Sequence, residues 1–145
     1  GAEAVMQEYR RQTDAAVAAI VAEAPPVVAI AATFRHRWNL LPYEIVTIKR
    51  SAYRPRSREV RWNRKAPDGR VIALRRDDEI NEIVALQVEM SKEAGSPWLL
   101  FHPRCPGCPI TMRALAWLFR YAAEVCGYRN LCLEDLGRYP EGLGS

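Results

Sequence analysis

A chain of 145 residues, 49% apolar and 26% charged, has the make-up of an ordinary globular protein and is long enough to bury a core of its own. No apolar run approaches the ~20 residues needed to cross a bilayer, which excludes a membrane-spanning helix. The net charge of +4 hides an asymmetry: Lys and Arg outnumber Asp and Glu thirteen to three between Arg35 and Arg76, and are outnumbered eight to fourteen elsewhere.

The elements follow in chain order. Residues 4–24 are rich in Ala, with Val5, Tyr9, Ala16 and Ile20 at helical spacing, and Pro25-Pro26 stops them. The apolar run 27–34, VVAIAATF, is too short for periodicity to separate helix from strand. Residues 43–53, YEIVTIKRSAY, are equally ambiguous; their β-branched content favours a strand, although Tyr43, Ile45, Val46 and Ile48 do not alternate. Val60 and Trp62, a Pro67-Asp68-Gly69 turn, then Val71, Ile72 and Leu74 predict a β-hairpin. Asp77 or Asp78 is placed to cap a helix over 79–92, with Ile80, Ile83, Val84, Leu86 or Gln87, and Met90 on its faces, ended by Gly95-Ser96-Pro97.

Trp98–Phe101 reads as a short buried strand or extended segment. Thr111 caps a helix over about 112–126, and Gly127 sits where a helix-ending glycine belongs. Leu115, Leu118, Phe119, Ala122 and Val125 form its expected buried stripe. Arg113, Trp117, Arg120 and Glu124 share a second face, on which Trp117 either stands outward beside two cations or tucks into the core. The whole reads as one domain over residues 1–145. Its fold class is α+β, with helices at both ends around a small antiparallel sheet.

The chemistry-bearing residues are few. His36 and His102 stand in no catalytic motif, and no phosphate-binding glycine loop or HExxH helix occurs. The start of the chain, with Glu3, Glu8, Arg10 and Arg11, lacks the basic-then-apolar order of a secretory leader, so the expected compartment is the cytoplasm, where the four cysteines are thiols. Cys105-Pro106-Gly107-Cys108 admits three readings. A redox pair at a helix start would need more fold after it than the 37 residues that follow Cys108. A zinc site would use His102, Cys105, Cys108 and one of Cys126 or Cys132. The favoured reading is a Pro-Gly loop with two incidental thiols, no disulfide between them, and no metal or other cofactor. The basic region is the footprint of a polyanionic partner, most simply DNA, although charge runs also make plain solvated surfaces.

From Pro42 to Arg138 the order of features resembles the catalytic domain of tyrosine recombinases (phage integrases). YEIVTI (43–48) is similar to the Glu-Leu segment of that family, and NRKAPDGRVIAL (63–74) to its basic hairpin, with Lys65 at the catalytic Lys position. SPWLLF (96–101) is similar to its Tyr-Leu-Phe segment, PITMRALAWLFRYAAEVCGY (109–128) to the helix after it, and LEDL (133–136) falls at the His-x-x-Arg motif. The resemblance covers about two-thirds of the chain. At the family's His this chain has Glu134, and at the second Arg it has Gly137, with Arg138 one place later. Leu41 stands at the first Arg, with Arg37 nearest, and Tyr139 is too close to serve as the nucleophile. Without that Tyr and those phosphate-binding cations there is no strand transfer. The resemblance therefore implies a degenerate or truncated recombinase-like domain with no catalytic residues, which keeps a DNA-facing surface drawn from Arg37, Arg61, Arg64, Lys65, Arg70, Arg113, Arg120 and Arg138.

AEAPP (22–26), PDG (67–69) and Met90 with Trp98 also resemble small toxin-immunity proteins of the YezG type. That resemblance implies paired strands over residues 27–53 and a cognate toxin as protein partner. A structural subunit of a nucleoprotein assembly is a third reading of the same charge pattern.

Overall fold

The computed structural model describes residues 1–62 and 70–137. The fold is α+β, with helices at both ends of the chain and two small antiparallel sheets between them. The described residues gather into two compact units, one from 1–42 and 115–137, the other from 43–62 and 70–114.

In the first unit, α1 (Ala2–Glu23) is the helix that the Ala-rich spacing predicts, ending at Ala24 before the two prolines. It packs on α2 (Pro26–Trp38), which settles the ambiguous run 27–34 as helix. The residues show why. Pro26 stands in the first turn, where its missing N–H costs nothing, and Asn39 closes the helix in the left-handed conformation at φ 55°. Residues 28–34 are all buried, so α2 is apolar on nearly every side and carries no amphipathic period to read. The 3₁₀ turn Leu133–Leu136 packs beside α2 and buries both of its leucines.

The second unit starts with most of α3 (Pro42–Val46), where the β-branched content favours a strand. Pro42 opens this turn, and Thr47 donates its hydroxyl to Glu44 O at 2.7 Å. Ile45, Val46 and Ile48 are buried together, a spacing that fits a helical turn and no strand. Only Tyr53–Arg54 (β1) is a strand within 27–53, and it pairs with β2 (Glu59–Trp62), which pairs with β3 (Arg70–Ile72), all antiparallel. The expected hairpin is thus present in its two strands, while its Pro67-Asp68-Gly69 turn lies outside the described residues.

Asp77 caps α4 (Asp78–Glu93), its Oδ1 accepting from Glu79 N at 3.0 Å and Ile80 N at 3.3 Å. The buried face of α4 is Ile80, Val84, Gln87, Val88 and Ser91, whereas Leu86 and Met90 face outward. Gln87 Nε2 donates to Leu99 O at 3.0 Å, and Ser91 Oγ to Trp98 O at 2.6 Å. Those side chains take up two carbonyls of the segment, and main-chain bonds add to them: Leu99 N donates to Ile48 O, and Leu100 O accepts from Ile110 N. The second sheet is β4 (Phe101–His102) against β5 (Cys105–Pro109).

Helix α5 (Met112–Val125) is capped as expected by Thr111, whose Oγ1 accepts from Ala114 N at 3.0 Å, and Gly127 follows it at φ 90°. Its buried stripe is Leu115, Phe119, Ala122 and Ala123, with Leu118 half-buried. Val125, expected inside, is 67% exposed, because the stripe drifts to Ala123 in the last turns. No described helix is long and apolar enough to cross a membrane.

Candidate nucleic-acid interface

The three-stranded sheet sorts its side chains by strand alternation. Val60, Trp62 and Ile72 point to one side and are buried. Arg54, Glu59, Arg61 and Val71 share the other side, since the register places Arg54 opposite Glu59 and Arg61 opposite Val71. Two depressions of about 440 Å³ each share Arg54 and Arg61 as lining residues. Thr47, Lys49, Ser51, Ala52 and, from the buried side of β2, Trp62 complete the first; Pro55, Arg56 and Ser57 complete the second.

Charge on this side is nearly all of one sign. Glu59, the one acid on it among the described residues, is buried, and its carboxylate is clamped by Arg61 Nε at 2.6 Å and Arg75 Nη1 at 3.3 Å. The hydrogen bond from Arg61 is the main reason its carboxyl titrates below the usual range, with Ser57 and the charges of Arg61 and Arg75 adding to it against partial desolvation. Arg58, at φ 51° in the turn before β2, is spent on Asp78 at 3.0 Å and on Arg75 O at 3.0 Å. Lys49, Arg54 and Arg56 have no acidic partner among the described residues. Main-chain bonds hold Lys49 in place: it bridges to Trp98, Arg50 N donates to Pro97 O, and Leu99 N donates to Ile48 O.

The sequence-predicted cations are distributed as follows. Arg61 lines both depressions. Arg70 is exposed on β3 opposite Trp62, on the other side of the sheet from Arg61. Arg113 and Arg120 are exposed on the outer face of α5, and Arg37 is exposed in the last turn of α2. Arg64, Lys65 and Arg138 lie outside the described residues. Lys49, Arg54, Arg56 and Arg75 belong to the basic stretch but were not singled out as site residues by sequence reasoning. The two-residue alternation of Glu59 and Arg61 was the available signal, and it needs the register of β1 against β2 to include Arg54.

Trp117, with its two alternatives in the sequence, stands outward, 65% exposed and stacked on Tyr121 with ring centroids 5.8 Å apart. The segment at the His-x-x-Arg position is pinned within the first unit by its backbone. Tyr9 Oη donates to Asp135 O, Arg35 Nη2 to Glu134 O at 3.0 Å, and His36 Nδ1 lies 3.0 Å from Leu136 O. A side chain at Gly137 would meet Arg35 Nη2 at 2.5 Å from its Cβ.

His102, Cys105 and Cys108 do not assemble as metal ligands. No cluster of three or more His, Cys, Asp or Glu suited to a metal occurs among the described residues, and His102 Nδ1 accepts from Arg104 N at 3.1 Å. The two cysteines do meet, with sulfurs 2.8 Å apart, in strand β5 and not in the loop of incidental thiols that the spacing favours.

No protein-family model matches the chain. Neither a curated protein nor a solved structure matches it.

Proposed function

We propose that this chain binds duplex DNA through phosphate contacts made by the outward side of its three-stranded sheet. The observation that carries this reading is the cluster of Lys49, Arg54, Arg56 and Arg61 around two shared depressions, with the one acid among them buried and neutralised. Of these, Lys49, Arg54 and Arg56 have no acidic partner among the described residues and are free to replace the counterions of a phosphate backbone, which supplies affinity without reading sequence. The helices over 26–38 and 42–46 support the resemblance to tyrosine recombinases over the toxin-immunity resemblance, which implies paired strands there. Under this reading the domain is a recombinase-like DNA binder without strand-transfer chemistry, since Glu134 and Gly137 occupy the positions of the family's His and second Arg.

Fluorescence anisotropy with labelled duplexes of unrelated sequence tests the proposal. Wild-type chain should bind all of them with similar affinity at low salt, and the triple substitution Lys49→Ala, Arg54→Ala, Arg56→Ala should weaken each by a similar factor. Absence of binding at low salt, or a triple variant with wild-type affinity, would refute it.

A further inference from the structure

Strand β5 is not a regular partner of β4. Phe101 pairs with Pro109 and His102 with Cys105, so one step along β4 is matched by four along β5, and Pro106, Gly107 and Cys108 bulge from the ladder. In an unbroken strand, residues three apart point to opposite sides and lie about 10 Å apart. The bulge folds the chain back on itself and brings Cys105 Sγ to 2.8 Å from Cys108 Sγ. Neighbouring bonds hold it there. Trp98 Nε1 donates to Gly107 O at 3.0 Å, and Ile110 N donates to Leu100 O at 2.8 Å just beyond β5. Both cysteines are free and exposed, whereas Cys126 and Cys132 are half-buried, the first with its thiol turned to Ala19 O.

We propose that Cys105 and Cys108 form a thiol–disulfide exchange site whose co-reactant is a low-molecular-weight disulfide. The roles of the two sulfurs differ. Either sulfur can donate in this contact. The hydrogen bond shared with Cys105 is the main cause that pushes the Cys108 thiol up, with desolvation adding to it, so Cys105 is assigned the attacking role. Cys105 gives its proton to solvent and, as thiolate, attacks one sulfur of the disulfide; that S–S bond breaks and one thiolate leaves with its electron pair and takes up a proton from solvent. Cys108 then gives its proton to solvent and its sulfur attacks Cys105 Sγ, expelling the second thiolate. Two protein thiols are oxidised to one disulfide, and one external disulfide is reduced to two thiols. The bulge favours the second step because the resolving sulfur is already in contact with the first.

Intact-mass spectrometry of the full chain treated with oxidised glutathione at neutral pH is the test. Wild-type protein should lose the mass of two hydrogens and retain no glutathione, with peptide mapping linking Cys105 to Cys108. Cys108→Ser should trap one glutathione on Cys105, about tenfold faster than any reaction at Cys126 or Cys132. Cys105→Ser should react more slowly than Cys108→Ser. The mapping on wild-type chain stands without either variant, should one fail to fold. A glutathione adduct that persists on wild-type chain, equal labelling of all four cysteines, or no reaction at all would overturn the proposal. Equal rates for the two serine variants would overturn the assignment of roles.

Discussion

Glu59 shows how one residue serves both the sheet and the surface. It sits among cations on the outward side of β2, buried, with Arg61 and Arg75 on its two oxygens. Its carboxyl is held below the usual range first by the hydrogen bond from Arg61. A carboxyl whose folded pKa is depressed favours the folded chain above its unfolded value, ~4.3, and that contribution is lost as pH falls through the folded value. Glu8 adds a term of the same sign, pushed down to about 2 by hydrogen bonds from Arg11 and then Gln12, but it is exposed and its weight is correspondingly small. Thermal melts by circular dichroism between pH ~5 and ~2 should show Tm falling more steeply for wild-type chain than for Glu59→Gln. Equal slopes for the two would contradict the clamped carboxylate. The same substitution removes the one negative charge on this side among the described residues, so it should tighten DNA binding at low salt; weaker binding would contradict repulsion of the phosphate backbone by Glu59.

Among the elements, α5 carries the sharpest contrast between its faces. Phe119 is fully buried and Arg120, the next residue, is exposed. Phe119→Ala should cost ~3–5 kcal/mol in urea denaturation, the range for removing a large buried aromatic. Arg120→Ala should stay within ~0.5 kcal/mol of wild type, as a surface substitution away from caps and networks. The reverse ranking would mean that the faces are assigned the wrong way round. Ser91, fully buried on α4, donates to Trp98 O and lies 3.1 Å from Ser96 O. Ser91→Ala should cost ~1–3 kcal/mol in the same assay, because buried carbonyls lose their donor.

The helices with caps and stops were legible in the sequence: α1 before Pro25-Pro26, α4 after Asp77, and α5 between Thr111 and Gly127. Three stretches were not. Run 27–34 is apolar on all sides, and a helix buried all round has no period to detect. Residues 42–46 form a single turn whose β-branched content points the other way, so tertiary burial of Ile45, Val46 and Ile48 decides its state. Segment 98–100 is satisfied partly by the side chains of Gln87 and Ser91 and partly by the main chain of Ile48 and Ile110, partners that no local pattern announces. The thiol pair was visible as a CxxC spacing, but only the bulge in β5 turns that spacing into contact.

At the scale of the whole chain, the charge asymmetry read from the sequence singles out residues 35–76, and the proposed interface draws on cations of that stretch, Lys49, Arg54 and Arg56, that were not among the sequence candidates. Thirteen cations lie between Arg35 and Arg76, yet their structural circumstances differ: Arg58 and Arg75 are tied into ion pairs, while Lys49, Arg54 and Arg56 have no acidic partner among the described residues. That distinction depends on pairing and register, which composition does not contain. It also separates DNA binding from a merely solvated basic surface by a measurable quantity. Each phosphate neutralised on duplex DNA contributes about −0.9 to the slope of log K against log salt. The decisive measurement is that slope for wild-type chain and for the Lys49→Ala, Arg54→Ala, Arg56→Ala variant on one duplex. A steep negative slope that flattens by about 2–3 in the variant is the expected result, one increment for each cation removed. A flat wild-type slope, or a steep one that the three substitutions leave unchanged, would contradict DNA binding by this side of the sheet.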